Sequence, residues 1–266
     1  MSNNAKTSKQ VIDIIMEEFK GSLLEDTVDT FKIGNIESEL KSIVTTFTAT
    51  IEVIEKAIEI GANLIITHEP TFYDHRDNTE WLESSKVYHY KLKLLQDNGI
   101  VVWRFHDYLH MLKPDGINVG LIKELQWEEY IDKKNSSILN IPQTTLKELI
   151  LFLKQKLNAF AVRYVGNIGA EITRIGITPG ALPGDFHISF IEENNLEVLI
   201  CGETSEWQAC EYIRDAVHKG LNKAIIIIGH VNSEEAGMKY LVEWLKPKIG
   251  DVPIVHIPAG DPMKNI

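Results

Sequence analysis

The sequence predicts an α/β protein built as two α/β lobes with mixed, largely parallel sheets. Three observations predict it. Short apolar runs rich in β-branched residues, ANLIIT (62–67), IVVWRF (100–105) and AIIIIG (224–229), read as buried strands. Stretches with helical apolar spacing alternate with them. Residues 43–68 spell strand, helix, strand, the repeating unit of a parallel sheet.

The elements follow in order. Thr7 or Ser8 can cap a helix in which Val11, Ile14, Ile15 and Phe19 share one face, and Gly21 can end it. A short extended region leads to the strand IVTTFTAT (43–50). Thr50 caps a helix with the stripe Ile51, Ile54, Ala57 and Ile58, and ANLIITH follows. Residues 69–79 read as a loop, 80–98 as a helix closed by Gly99, and IVVWRF as the next strand. The segment HDYLHMLKPDGIN then leads into a short helical VGLIKEL. Residues 126–143 are polar and irregular, which places a boundary there and predicts lobes at 1–130 and 140–266.

In the second half, Thr144 or Thr145 caps LKELILFLKQKL, and FAVRYVG and ITRIGIT read as strands. PGALPGDF reads as a Gly/Pro turn without the spacing of a nucleotide-phosphate fingerprint. LEVLICGE is a strand, and SEWQACEYIRDAVHKG a helix ending on Gly220. AIIIIGH leads to a helix capped by Ser233 and stopped before Pro247, and VPIVHIPAGDP to a final strand. No internal repeat relates the halves.

Composition narrows the function. Of 266 residues, 44% are hydrophobic and 24% charged, as in soluble globular proteins. The net charge of −11 argues against sequence-independent nucleic-acid binding, which needs a basic face. The N-terminal segment lacks the pattern of a signal peptide, and no apolar run approaches the ~20 residues of a membrane span. Two cysteines, Cys201 and Cys210, make no disulfide framework, so the expected setting is the cytoplasm.

The chemistry concentrates where strands end. Each of the three apolar runs ends on a histidine, His68, His106 or His230, and functional groups of α/β sheets collect beyond the carboxyl ends of strands. Glu69 follows His68, and Pro70 holds Glu69 out of the α region, so adjacent side chains can serve different ions. His106 and His110 stand four apart, on one face if helical, with Asp107 placed to orient a ring. Glu234 lies four after His230 and could bridge two cations, with Glu235 as its substitute. Glu203 and Glu206 follow another strand and could act as a base near a metal-bound water. Each piece also fits a plainer role: a turn at 68–69, half-exposed loop histidines, a capping charge at 234, surface carboxylates at 203 and 206. Taken together, imidazoles and carboxylates at three strand ends predict a metal site of more than one ion.

These segments also resemble a known family. ATIEVIEKAIEIGANLIITHEPTFY, FHDYLHMLKPDGINVGL, LICGETSEWQACEYIRDA and IIIIGHVNSEEAGMKYLVEWL are similar, in order and over roughly 43–258, to motifs of the Nif-three-like proteins. These are also called GTP cyclohydrolase 1 type 2 homologs or dinuclear-metal-centre hexameric proteins. The resemblance implies two divalent ions in a cleft between the lobes, a homohexamer, and a metal-dependent hydrolase acting on a nucleotide or cyclic amide. It places ligands at His68, Glu69, His110, His230 and Glu234. In a hydrolase so built, His106 or Glu203 would move protons. Zinc, iron, manganese or cobalt would suit that set. The alternative is a non-catalytic metal-binding scaffold, carrier or regulator.

Two ligand positions depart from the motif. Glu69 stands where the family has histidine, and His110 where it has aspartate. The exchanges leave the donor inventory nearly balanced, so Glu69→His is expected to keep metal bound. The His-His pair that follows the family's Thr-Gly-Glu is Glu206–Trp207 here.

Overall fold

The computed structural model describes residues 6–264 and divides the chain into two compact units. Unit 1 is drawn from residues up to Gly116 and from Met238–Ala259; unit 2 takes Ile117–Gly237 and the residues from Gly260 on. The expected boundary at 126–143 therefore lies inside unit 2, and the last helix and strand return to the first unit. The cause is a strand that local patterning hides. Ile138–Thr145 pairs antiparallel with the longest strand of unit 2 although it contains Asn140, Pro142 and Gln143. As an edge strand it tolerates proline and polar residues.

Unit 1 carries a five-stranded sheet in the order β1-β4-β3-β2-β10. Its strands are β1 (Phe31–Ile33), β2 (Ile43–Thr46), β3 (Leu64–Thr67), β4 (Val101–Arg104) and β10 (Ile254–His256). All pairs are parallel except β1 with β4. Thr7 caps α1 (Ser8–Met16) in a reciprocal box with Gln10, and Thr50 caps α2 (Ile51–Glu59). Val44, Ile65 and Val102 pack with Val53, Ile54 and Leu95 of α2 and α3 (Lys86–Asp97). The two-residue period of a strand sends Trp103 to the opposite face from Val102.

Unit 2 also has a parallel centre, but here both edge strands are antiparallel, in the order β5-β7-β8-β9-β6. Its strands are β5 (Ile138–Thr145), β6 (Arg163–Val165), β7 (Glu171–Ala181), β8 (Val198–Glu203) and β9 (Ala224–Ile227). Val198 and Ile200 pack on one face, Leu199 and Cys201 on the other, so the sheet is apolar on both sides. Helices α5 (Gly116–Leu125), α6 (Leu146–Lys156), α7 (Gly184–Glu193) and α8 (Glu211–His218) complete it. The expected Gly/Pro turn is in fact the end of β7, a register shift near Gly180, and the start of α7. One π-helical turn, Glu206–Cys210, precedes α8.

The final helix, α9, runs His230–Ile249. It begins three residues before the expected cap and passes through Pro247. Ser233 is not a cap; its hydroxyl donates to the His230 carbonyl (2.6 Å) and accepts from Gly180 N–H (3.0 Å). Among the described residues no helix is long and apolar enough to cross a membrane.

Candidate metal centre

In unit 1 the ends of β3 and β4 lie side by side, with Thr67 opposite Arg104. The next residue of each chain segment carries the chemistry within two positions: His68 and Glu69 after β3, His106 after β4. His68 is fully buried. Its ring stacks on that of His106 (centroids 4.5 Å) and meets His110 edge-on (5.0 Å). One ligand atom from each of these histidines lies within 4.8 Å of the others, the spacing needed for a shared cation. Glu69 joins them, with Oε1 3.7 Å from His106 Nε2.

Helix α4 (Asp107–Met111) sets His106 and His110 on the same side. Asp29 holds its start. One carboxylate oxygen accepts from the N–H groups of His106 (2.7 Å) and Asp107 (3.0 Å), the other from Tyr108 (2.9 Å). A carboxylate from far along the chain thus caps a helix whose own sequence offers no cap. Burial pushes the Asp29 carboxyl above its ordinary range, and those three donors oppose it.

The histidines share one pattern of support. Nδ1 of His68 faces the Phe105 carbonyl (3.3 Å), that of His106 faces Asp107 (2.9 Å), and that of His110 faces Asp115 (2.9 Å). Such an oxygen fixes the ring and its tautomer and leaves Nε2 as the ligand atom, as is usual for metal-bound histidine. Burial, with the neighbouring His68 and His110, drives the His106 imidazole down to about 3, although Asp107 opposes this. Burial thus favours the neutral ring, the form in which an imidazole can donate to a cation. For Asp107, burial raises the carboxyl, but hydrogen bonds from His106, Thr27 and the Val28 N–H outweigh it and hold it below the usual range.

The loop after β3 is anchored by cations. Arg104, fully buried, donates to the carbonyls of His68 (2.8 Å) and His75 (2.5 Å). Lys91 donates to the Thr71 carbonyl, and burial lowers its ammonium to about 8 against the pull of Asp77. Lys32 pairs with Asp77 (3.2 Å), both side chains 5% exposed.

Unit 2 holds a second group. His230 opens α9, and Glu234 lies one turn on, with Nε2 to Oε2 3.1 Å. His230 Nδ1 faces Glu203 Oε1 (3.0 Å) at the end of β8, the same pattern of support as in unit 1. Glu234 is buried, whereas the Glu203 side chain is 56% exposed. Gly180 makes the approach possible: it has φ +77°, and a Cβ there would stand 2.5 Å from Glu234 Oε1. A Cβ on Gly202 would meet Ser233 Oγ and the Gly180 carbonyl, each at 2.5 Å. Glu235 instead accepts from Gly260 N–H (3.3 Å), and Glu206 pairs with Arg163 on an exposed surface.

The structure therefore gathers His68, Glu69, His106 and His110 in unit 1, and His230, Glu234 and Glu203 in unit 2. Sequence reasoning missed Asp29, Arg104, Asp115 and Gly180. Asp115 had a signal, since it lies five residues after His110 in a turn. Arg104 had another, as a charge inside an apolar strand. Asp29 had none.

Comparison with known proteins agrees with this architecture. A GTP cyclohydrolase 1 type 2 homolog of Clostridium perfringens is 27% identical over 246 residues, covering 88% of this chain and 89% of its own. A protein of the same description from Clostridium acetobutylicum is 26% identical over 235 residues, 83% and 82% of the two chains. Among solved structures, a Staphylococcus aureus hypothetical protein has TM-score 0.77 at 20% identity, covering 98% of this chain and 99% of its own. A Bacillus cereus protein related to NIF3 also has TM-score 0.77, at 15% identity, covering 98% and 99%. At such identities the structural likeness concerns the fold. The family model Duf34/NIF3 (NGG1p interacting factor 3) matches residues 7–262, nearly the whole chain, and the protein belongs to that family.

Proposed function

We propose that the protein is a metal-dependent hydrolase with a dinuclear centre. One observation carries the proposal: converging imidazoles and carboxylates in which every histidine has its Nδ1 engaged by an oxygen. His68, His106 and His110, with Glu69, would hold one cation; His230 and Glu234 would serve the other. His106 enters this set as a ligand rather than a proton carrier, because Asp107 fixes its Nδ1 and burial keeps it neutral. Glu203 supports the His230 ring and, being the most exposed carboxylate of its group, is the remaining candidate for passing protons to solvent. A bound divalent cation would lower the pKa of water and polarise a phosphoryl or carbonyl oxygen.

The names of the relatives point to GTP or a similar nucleotide as the first substrate to try. The assembly is read as a homohexamer on the family resemblance, and the setting as the cytoplasm expected from the sequence. The test is metal analysis of the purified protein, then a screen of nucleotides, phosphoesters and cyclic amides with the metallated form. Turnover that chelation abolishes supports the hydrolase. Full metal loading without turnover of any class favours the scaffold, carrier or regulator instead. A clean monomer of 30.2 kDa on sizing would remove the hexamer.

A further inference from the structure

We propose that Arg104 is the positioning residue of the unit 1 centre and that Glu69 and Arg104 operate as one charge-balanced pair. The inference rests on the metal-binding reading and goes beyond it. Arg104 is fully buried, and its three nitrogens divide among three tasks. Nε holds the His68 carbonyl, Nη1 holds the His75 carbonyl, and Nη2 lies 3.5 Å from Glu69 Oε2. One planar fork therefore fixes the backbone of the buried histidine and the far side of its loop, and sets its charge 3.5 Å from the neighbouring carboxylate without a hydrogen bond between them. Lysine, a point charge on a flexible stem, cannot span the three.

The electrostatics demand the pairing. A guanidinium that cannot lose its proton is held, fully buried, against the His68 carbonyl. A cation brought to the His68 imidazole and its neighbours would meet the repulsion of that fixed charge. Glu69 offsets it: Oε2 faces Arg104, while Oε1 faces His106 Nε2 at 3.7 Å. The carboxylate thus faces the fixed cation with one oxygen and a candidate ligand with the other. A buried charge stripped of its partner costs far more than the pair itself contributes.

This reverses the expectation for Glu69→His. Histidine restores the residue type of the family motif, but in this chain it leaves Arg104 without its counter-charge. Glu69→His should therefore weaken cation binding, and Arg104→Met should restore part of it in the double variant by removing the unbalanced charge.

The experiment titrates the full-length protein with Co2+, followed by its visible absorption, and melts the same variants free of metal. Arg104→Met and Glu69→His should each weaken Co2+ binding about tenfold or more, with far-UV circular dichroism unchanged. The double variant should bind more tightly than Glu69→His alone. Losses that add in the double variant, or wild-type affinity in Glu69→His, would overturn the pair. Arg104→Lys keeps the charge but not the fork, so its cobalt spectrum should change; a native spectrum and affinity there would overturn the positioning role. If the wild type binds no Co2+, the metal reading itself fails, and the metal-free melts still decide the pair. A double variant melting at or above Glu69→His supports it, and one melting lower by the sum of both losses overturns it.

Discussion

The two clusters reach similar chemistry by different constraints. In unit 2 the central pair, His230 and Glu234, is one turn apart on a single helix, and the constraint is steric: Gly180 and Gly202 leave no room for a Cβ. In unit 1 the donors come from two strand ends and a helix, and the constraint is electrostatic. Asp29 caps α4, and Arg104 ties the loop after β3. The difference teaches that helix periodicity supplies the pair of the first kind of site once neighbouring strands leave it room, whereas the second needs buried charges that hold separate segments in register. Each kind should fail in its own way.

The largest effect should come from violating the steric constraint. Gly180→Val places a β-branched side chain at positive φ against a buried carboxylate, and a loss of about 3 kcal/mol is expected. Thermal unfolding checks it, and a melting curve like that of the wild type would show that β7 can yield around Glu234. Removing donors comes next: His68→Ala and His230→Ala should each strip most of the bound metal, as measured by elemental analysis after dialysis. A variant that keeps its full complement has lost no ligand. Smaller still are the supports. Asp107→Asn and Asp115→Asn should weaken metal affinity by about 10–100-fold. Glu203→Gln, in the more exposed setting of unit 2, should do less, and an equal loss would erase the contrast between the clusters.

The metal-free protein should also show a pH dependence. Burial lowers His187 to about 4 in unit 2, where its Nδ1 meets the Thr204 hydroxyl (2.8 Å), and His106 to about 3 in unit 1. Both fall below the ordinary value of 6.5, so the unfolded chain binds more protons than the folded one in the acidic range. Their contribution is complete above pH 6.5 and is lost as pH falls toward 4 and then 3. His187→Gln should flatten the upper part of that slope and leave the contribution of His106. An unaltered slope would mean that His187 charges without penalty.

Local pattern alone determined much of this protein. The caps at Thr7, Thr50 and Thr145 stand in the sequence as threonine before an amphipathic run, because the hydroxyl answers N–H groups only three residues away. Buried parallel strands announce themselves as unbroken β-branched runs, and a histidine ending each marks the chemical end of its sheet. Other features had no local trace. β5 reads as linker because an edge strand tolerates polar residues and proline. α9 starts at His230 rather than Ser233 because the serine hydroxyl is engaged by the β7 backbone. Residues 238–259 return to unit 1 because β10 pairs with β2, more than 200 positions upstream. Asp29 and Arg104 gain their roles only when distant segments meet, since a charge is committed inside a fold only where its partners are already in place. The sequence thus carried the donors and their spacing, and tertiary structure decided which charges hold them still.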